Sequence, residues 1–246
     1  FIQVSVVKKV KFSMFSKSLI PIYSLRFMAC YFMIVNAIAI YLYPGGSLYN
    51  YDLTSYSFTE NFFSDLGVYK TTGGEINFLS CILFNSSLAM IGFASVSYAF
   101  VPRLFIENKK AYNFSRIAAF ICIISGLCYI GVGLTPADLY FRQHVWFVIF
   151  AFHLQTAGIL FMVIAFLYSR VSNYYTVVAL IYFICVLTYS IFETSSPPAP
   201  DFNPRNQDML REFVPYDRMV ISVVSQKIIT VIAFISTILF TFGFKS

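Results

Sequence analysis

Six long apolar runs, separated by polar segments, set the frame of the chain: 25–43, 76–101, 114–135, 144–168, 174–192 and 219–244. Each is close to the ~20 residues a helix needs to cross a bilayer. The breaks between them carry helix-stopping residues. Pro44-Gly45-Gly46 ends the first run, Pro102 the second, and Gly131, Gly133 and Pro136 the third. The pattern predicts an all-α polytopic transmembrane bundle of six helices occupying 24–246.

The connections differ in character. Residues 1–23 contain Lys8, Lys9, Lys11 and Lys17 and no acid, and their apolar positions keep neither a helical period nor a period of two. A basic, interface-associated N-terminal tail is expected there, in preference to a signal peptide, since no short apolar core with a small-residue cleavage site follows the charges. The first loop is rich in Tyr and Phe throughout, which predicts that it lies along the membrane surface. The last loop is charged and Pro-rich.

Composition agrees with the run pattern: 59% of the 246 residues are hydrophobic and 11% charged, against roughly 25% charged in a soluble domain. The chain reads as an integral membrane protein. Five cysteines, Cys30, Cys81, Cys122, Cys128 and Cys185, all fall in apolar runs without a CxxC pair and read as small buried hydrophobes.

The net charge of +6 describes topology, not nucleic acid. With both termini cytoplasmic, the inner segments hold eleven Lys and Arg against one acid, Glu107, and the outer loops hold five basic residues against ten acids. The positive charge is scattered over short loops, with no basic patch or motif for nucleic acid.

Lys227 is the one charge left inside a span. An ammonium at that depth costs at least about 2.5 kcal/mol unless it faces a partner or a wet cavity. Asn85, His153 and Lys227 each fall roughly 12 to 14 Å below the outer boundary, and Asn36 roughly 10 Å, at a helical rise of about 1.5 Å per residue. One reading is an outward-facing polar pocket made by Asn36, Asn85, His144, His153, Gln226 and Lys227, with its mouth at Asp65, Asp138 and Glu193. The other is interhelical hydrogen bonding, the ordinary role of Asn, Gln and His between membrane helices.

Recognisable catalytic patterns are missing. His144 and His153, nine apart, lie on opposite sides of a regular helix, and there is no HExxH or His pair at i and i+4, so no metal site is predicted. Nothing like a nucleophile elbow surrounds Ser64, no Gly-rich phosphate loop is present, and no acid lies deep in a span as proton-coupled transport would favour. Neither catalytic residues nor a cofactor are assigned.

Phe63-Ser64-Asp65-Leu66-Gly67, the Gly133-Leu134-Thr135-Pro136-Ala137-Asp138 turn followed by His144, and Gln226-Lys227 resemble segments of the prokaryotic six-span family called domain of unknown function 998, distantly similar to the FRAG, DRAM and SFK membrane proteins. The resemblance implies six helices, an outer-facing signature and a prokaryotic cell membrane. For the eukaryotic relatives it implies roles in lipid remodelling, lipid asymmetry or autophagy, and it implies no cofactor.

Three functions stand at this point. The first is a non-catalytic protein that binds or senses membrane lipids in the outer pocket, with Lys227 and His144 meeting a phosphate. The second is an accessory or structural subunit whose outer loops dock on other membrane proteins. The third is a lipid-modifying enzyme at the outer leaflet.

Overall fold

The computed structural model describes residues 2–195, 211 and 214–244. It contains six membrane-length helices: α1 (Ile2–Leu42), α2 (Phe78–Ser95), α3 (Lys109–Leu134), α4 (Phe141–Leu167), α5 (Asn173–Thr194) and α6 (Tyr216–Gly243). There is no strand among the described residues, only an isolated bridge between Lys70 and Ile76. Each helix packs on its neighbours in sequence, and α6 returns to α1, so the six close into a ring.

Helix ends depart from the apolar runs for local reasons. The basic stretch expected as a separate tail is the first part of α1, whose apolar portion is Leu19–Leu42. Extending an existing helix costs no new nucleus, so weak periodicity does not stop it, and Pro21 is accommodated inside. Pro102 lies within a 3₁₀ helix, Val96–Phe105, that prolongs α2; its fixed φ suits that geometry. α3 starts earlier than its apolar run because Asn108 caps it, accepting from the N–H groups of Lys110 at 2.9 Å and Ala111 at 3.2 Å.

Packing divides the interior. Phe32 stacks on Phe234 at 4.4 Å within a cluster joining α1, α2 and α6. Ile159, Met162, Phe166, Tyr182 and Phe240 form a second cluster between α4, α5 and α6. Where α2 crosses α3 only small residues fit: a Cβ on Gly126 would stand 2.0 Å from Ser95 Oγ, and one on Gly92 2.8 Å from the Gly126 carbonyl. Small residues at such crossings let membrane helices approach closely. The outer wall carries exposed Ile34, Phe93, Phe120 and Leu167, as contact with lipid requires. Cys30 is exposed on that wall, contrary to the buried role expected for it.

The loops sort to two ends. At one, Glu107 pairs with Arg170 at 3.3 Å, Lys110 lies over the Tyr168 ring at 4.9 Å, and Arg26 joins α1 to Thr241 of α6 at 2.6 Å. At the other, Tyr49 donates to the Val214 carbonyl at 2.6 Å and Asp138 receives the Tyr69 and Lys70 N–H groups. These are the groups of segments that the charge count separates.

The first loop does not simply lie along a surface. Residues 61–67 dip into the mouth of the ring, where the Phe63 ring sits 5.8 Å from Phe32 and 5.5 Å from Phe84. Phe32 is ten residues from the end of α1, roughly 15 Å of helix. Irregular backbone at that level is tolerated because it is enclosed by protein. Gly45 and Gly46, at φ +113° and +81°, make the reversal that sends the chain back over the bundle.

Candidate functional site: a chamber beneath a re-entrant loop

The inserted loop is held by consecutive residues of α6. Gln226 Oε1 accepts from the Phe63 N–H at 2.7 Å, and Lys227 Nζ donates to the Asn61 carbonyl at 2.6 Å and to Val223 O at 3.3 Å. Lys227 is 5% exposed, with its ammonium 5.3 Å from the Tyr56 ring centre and 5.1 Å from that of Phe58. The lysine is satisfied by carbonyl oxygen and aromatic faces, the partners a desolvated ammonium accepts.

Asp65 completes this anchor. Its Oδ2 accepts from Asn61 Nδ2 at 3.1 Å and from the Phe62 N–H at 3.0 Å. The carboxylate reaches back to the backbone at the start of the Phe63–Gly67 turn, one half of a capping box. Burial pushes its carboxyl up to about 6, against the Asn61 amide, the Phe62 N–H and the Lys227 ammonium, which favour the charged form.

Under the loop is a cavity of about 370 Å³ whose wall includes Asp65, Asp138, His144, His153, Glu193 and Gln226. Six of the nine expected pocket and mouth residues therefore meet. Lys227, Asn36 and Asn85 do not line it. Asn36 donates to Phe32 O at 2.8 Å and Ser87 Oγ at 2.9 Å, and Asn85 donates to Gly67 O at 3.0 Å. These two spend their amides on helix and loop contacts. The common slab expected from depth is thus not a common cavity, since equal depth leaves direction around each helix axis open.

The lining residues have distinct surroundings. Asp138 accepts from the Tyr69 and Lys70 N–H groups at 3.1 and 3.0 Å, fastening the loop to the turn before α4. Glu193 accepts from the Ser222 hydroxyl. His144 is 6% exposed; its Nδ1 is 2.7 Å from Thr135 O, while its Nε2 is buried without a hydrogen-bond partner. A carbonyl can only accept, so Nδ1 carries the proton and Nε2 presents a lone pair. His153 is exposed and holds Nδ1 2.8 Å from Ile149 O.

A second chamber of about 130 Å³ shares Ser64, Val148, Phe152 and Gln226 with the first. Leu25, Met28, Phe84, Leu88 and Ile229 give it a mostly apolar wall. Its far side carries a short relay, with Tyr129 OH donating to Gln155 and Gln155 donating to Tyr182 OH. Ser64 and Gln155 were not among the expected pocket residues. A glutamine inside an apolar run was the available signal for the second; nothing in the chain marked Ser64 as a shared wall.

The arrangement offers hydrogen-bonding and charged side chains in the wall of the first chamber and apolar volume in both. Among the described residues no group of three His, Cys, Asp or Glu is placed to hold a metal ion. Segments 63–67, 133–138 and 226–227, far apart in sequence, converge on this one region. Comparison with family models, curated proteins and solved structures returns no match to this chain.

Proposed function

We propose that this integral membrane protein binds a lipid or related amphiphile, as a non-catalytic lipid-binding or lipid-sensing protein, with both termini cytoplasmic and the chamber facing outward. The supporting observation is that two chambers with largely apolar surfaces adjoin across the shared residues Ser64, Val148, Phe152 and Gln226, and that only the first has Asp65, Asp138, His144, His153 and Glu193 in its wall. An amphiphile needs both environments, because a polar head buried in hydrocarbon must recover hydrogen bonds and an apolar chain must not face water. The motif resemblance to the domain of unknown function 998 family belongs to the same proposal, and with it a prokaryotic cell membrane as the location.

The test uses the protein in nanodiscs with a photo-crosslinkable lipid and peptide mapping of the adducts. Adducts on Val148, Phe152 or Ile229 that disappear in Val148→Trp support the reading. Adducts confined to the outer wall, at residues such as Phe120, and unchanged by Val148→Trp overturn it. A stoichiometric membrane-protein partner covering the first loop would put the accessory-subunit reading in its place.

A further inference from the structure

The two chambers lie end to end along the helix axes. On α4 the wall of the first begins at Phe141 and that of the second ends at Ile159; on α6 Gln226 lines the first, and the second continues from Gln226 through Thr230 to Thr237. Gln226 and Thr237 are roughly 16 Å apart along the helix, so the second chamber is elongated. A ligand that occupies both chambers crosses the seam at Ser64, Val148, Phe152 and Gln226.

That seam carries unspent hydrogen-bonding capacity. The Phe63 N–H can only donate, so the oxygen of the Gln226 amide faces it, at 2.7 Å, and Nε2 takes the other side. Nε2 has no partner among the described residues, yet it is not sealed in protein. Gln226 is tied to a residue whose ring packs between Phe32 and Phe84 inside the bundle, so the open side of Nε2 is the chambers that Gln226 lines. The Ser64 hydroxyl is placed alike, in the wall of both chambers, without a partner among the described residues and not enclosed. Farther into the second chamber, Ser95, Ser125 and Thr230 give their hydroxyls to the carbonyls of Gly92, Ala151 and Gln226.

An amide nitrogen brings two donors and no acceptor, and a serine hydroxyl adds a third donor. Their complement is a group that accepts. In an amphiphile laid through both chambers, the seam is the point where head joins chain. A phosphate there would need a cation, and Lys227, next to Gln226, has its ammonium on the carbonyls of Asn61 and Val223. A neutral carbonyl accepts two hydrogen bonds without that requirement.

We infer that the seam binds an acyl carbonyl, the ester or amide that joins head to chain in an acyl lipid, with Gln226 Nε2 and Ser64 Oγ donating to its oxygen. The head then lies in the first chamber and the chain in the second. The inference rests on the amphiphile reading and adds the group that is recognised.

The experiment compares glycerol monolaurate with dodecyl glyceryl ether, which share head and chain length and differ in the carbonyl. Binding to the full chain is measured by native mass spectrometry in nanodiscs of an ether-linked phosphatidylcholine, so that the bilayer carries no competing carbonyl. The ester should bind about tenfold tighter than the ether, the size of one buried hydrogen bond. Gln226→Glu keeps an oxygen for the Phe63 N–H but loses Nε2, and should remove most of that preference; Ser64→Ala should remove part of it. Equal binding of the two probes, or tighter binding of the ether, overturns the carbonyl inference and leaves the amphiphile reading standing. Binding of neither overturns both. A full preference that survives in both variants overturns the assignment to the seam. The wild-type comparison decides the matter even if neither variant folds.

Discussion

Lys227 of α6 donates to the backbone carbonyl of Asn61 at 2.6 Å, so a charge deep in a membrane-crossing helix is hydrogen-bonded by a loop that descends to meet it. The same loop turns at Asp65, whose carboxylate feels that ammonium. The lysine therefore acts first as an anchor, and the chamber below the loop exists because the anchor holds.

Replacing the lysine tests this. Lys227→Met removes a charge-assisted hydrogen bond worth about 2 kcal/mol and leaves the Asn61 carbonyl short of a donor. Thermal unfolding in detergent should shift down, and limited proteolysis should cut faster within the 43–77 loop. An unchanged melting temperature and cleavage rate would refute the anchor.

Asp65 predicts a pH dependence with a definite sign. Its folded pKa of about 6 lies above the ordinary value of 3.8, so the folded state binds more protons between those limits. Its contribution to stability is fully present below the lower limit and is lost as pH rises through the upper one. The melting temperature measured between those values should fall with rising pH, and Asp65→Asn should flatten that slope. A slope of the same size in Asp65→Asn would assign it to another group.

The α2–α3 crossing predicts a steric effect. In Gly126→Ala the new Cβ would stand 2.4 Å from Ser95 Cβ, and the helices must separate. Overpacking of this kind costs about 1–3 kcal/mol. Thermal unfolding should report the loss, and adding Ser95→Gly should recover part of it. An additive double variant would show that the two residues do not oppose each other.

Topology is tested with single cysteines in a cysteine-free background. Exposed Thr54, in the first loop, and exposed Lys109, the first residue of α3, lie at opposite ends of the bundle. A membrane-impermeant maleimide should label Thr54→Cys on intact cells and Lys109→Cys only after permeabilisation. The reverse pattern would place both termini outside.

Much of the architecture was legible along the chain. Six spans follow from apolar runs of membrane length, because hydrophobic length is a property of consecutive residues. The separation of loops into two groups follows from their charges, and the Glu107–Arg170 and Tyr49–Val214 contacts join segments within each group. Polar residues deep in spans could be singled out one by one. Direction around the helix axis could not, which is why Asn36 and Asn85 turned to Ser87 and Gly67 while His144 and Gln226 entered the cavity wall.

The sequence by itself determined the class of object, the number of spans and the presence of one costly charge that required a partner. Tertiary structure alone decided what that partner is. A backbone carbonyl has no residue type to advertise it, and Asn61 is brought to Lys227 only because Gly45 and Gly46 reverse the chain and Gln226 catches the Phe63 N–H. The chamber was legible only as a set of polar residues, six of which line it; its shape was not, since its wall is assembled from a loop, a turn and three helices, and a void arises from how those parts fail to fill the ring rather than from any consecutive stretch of residues.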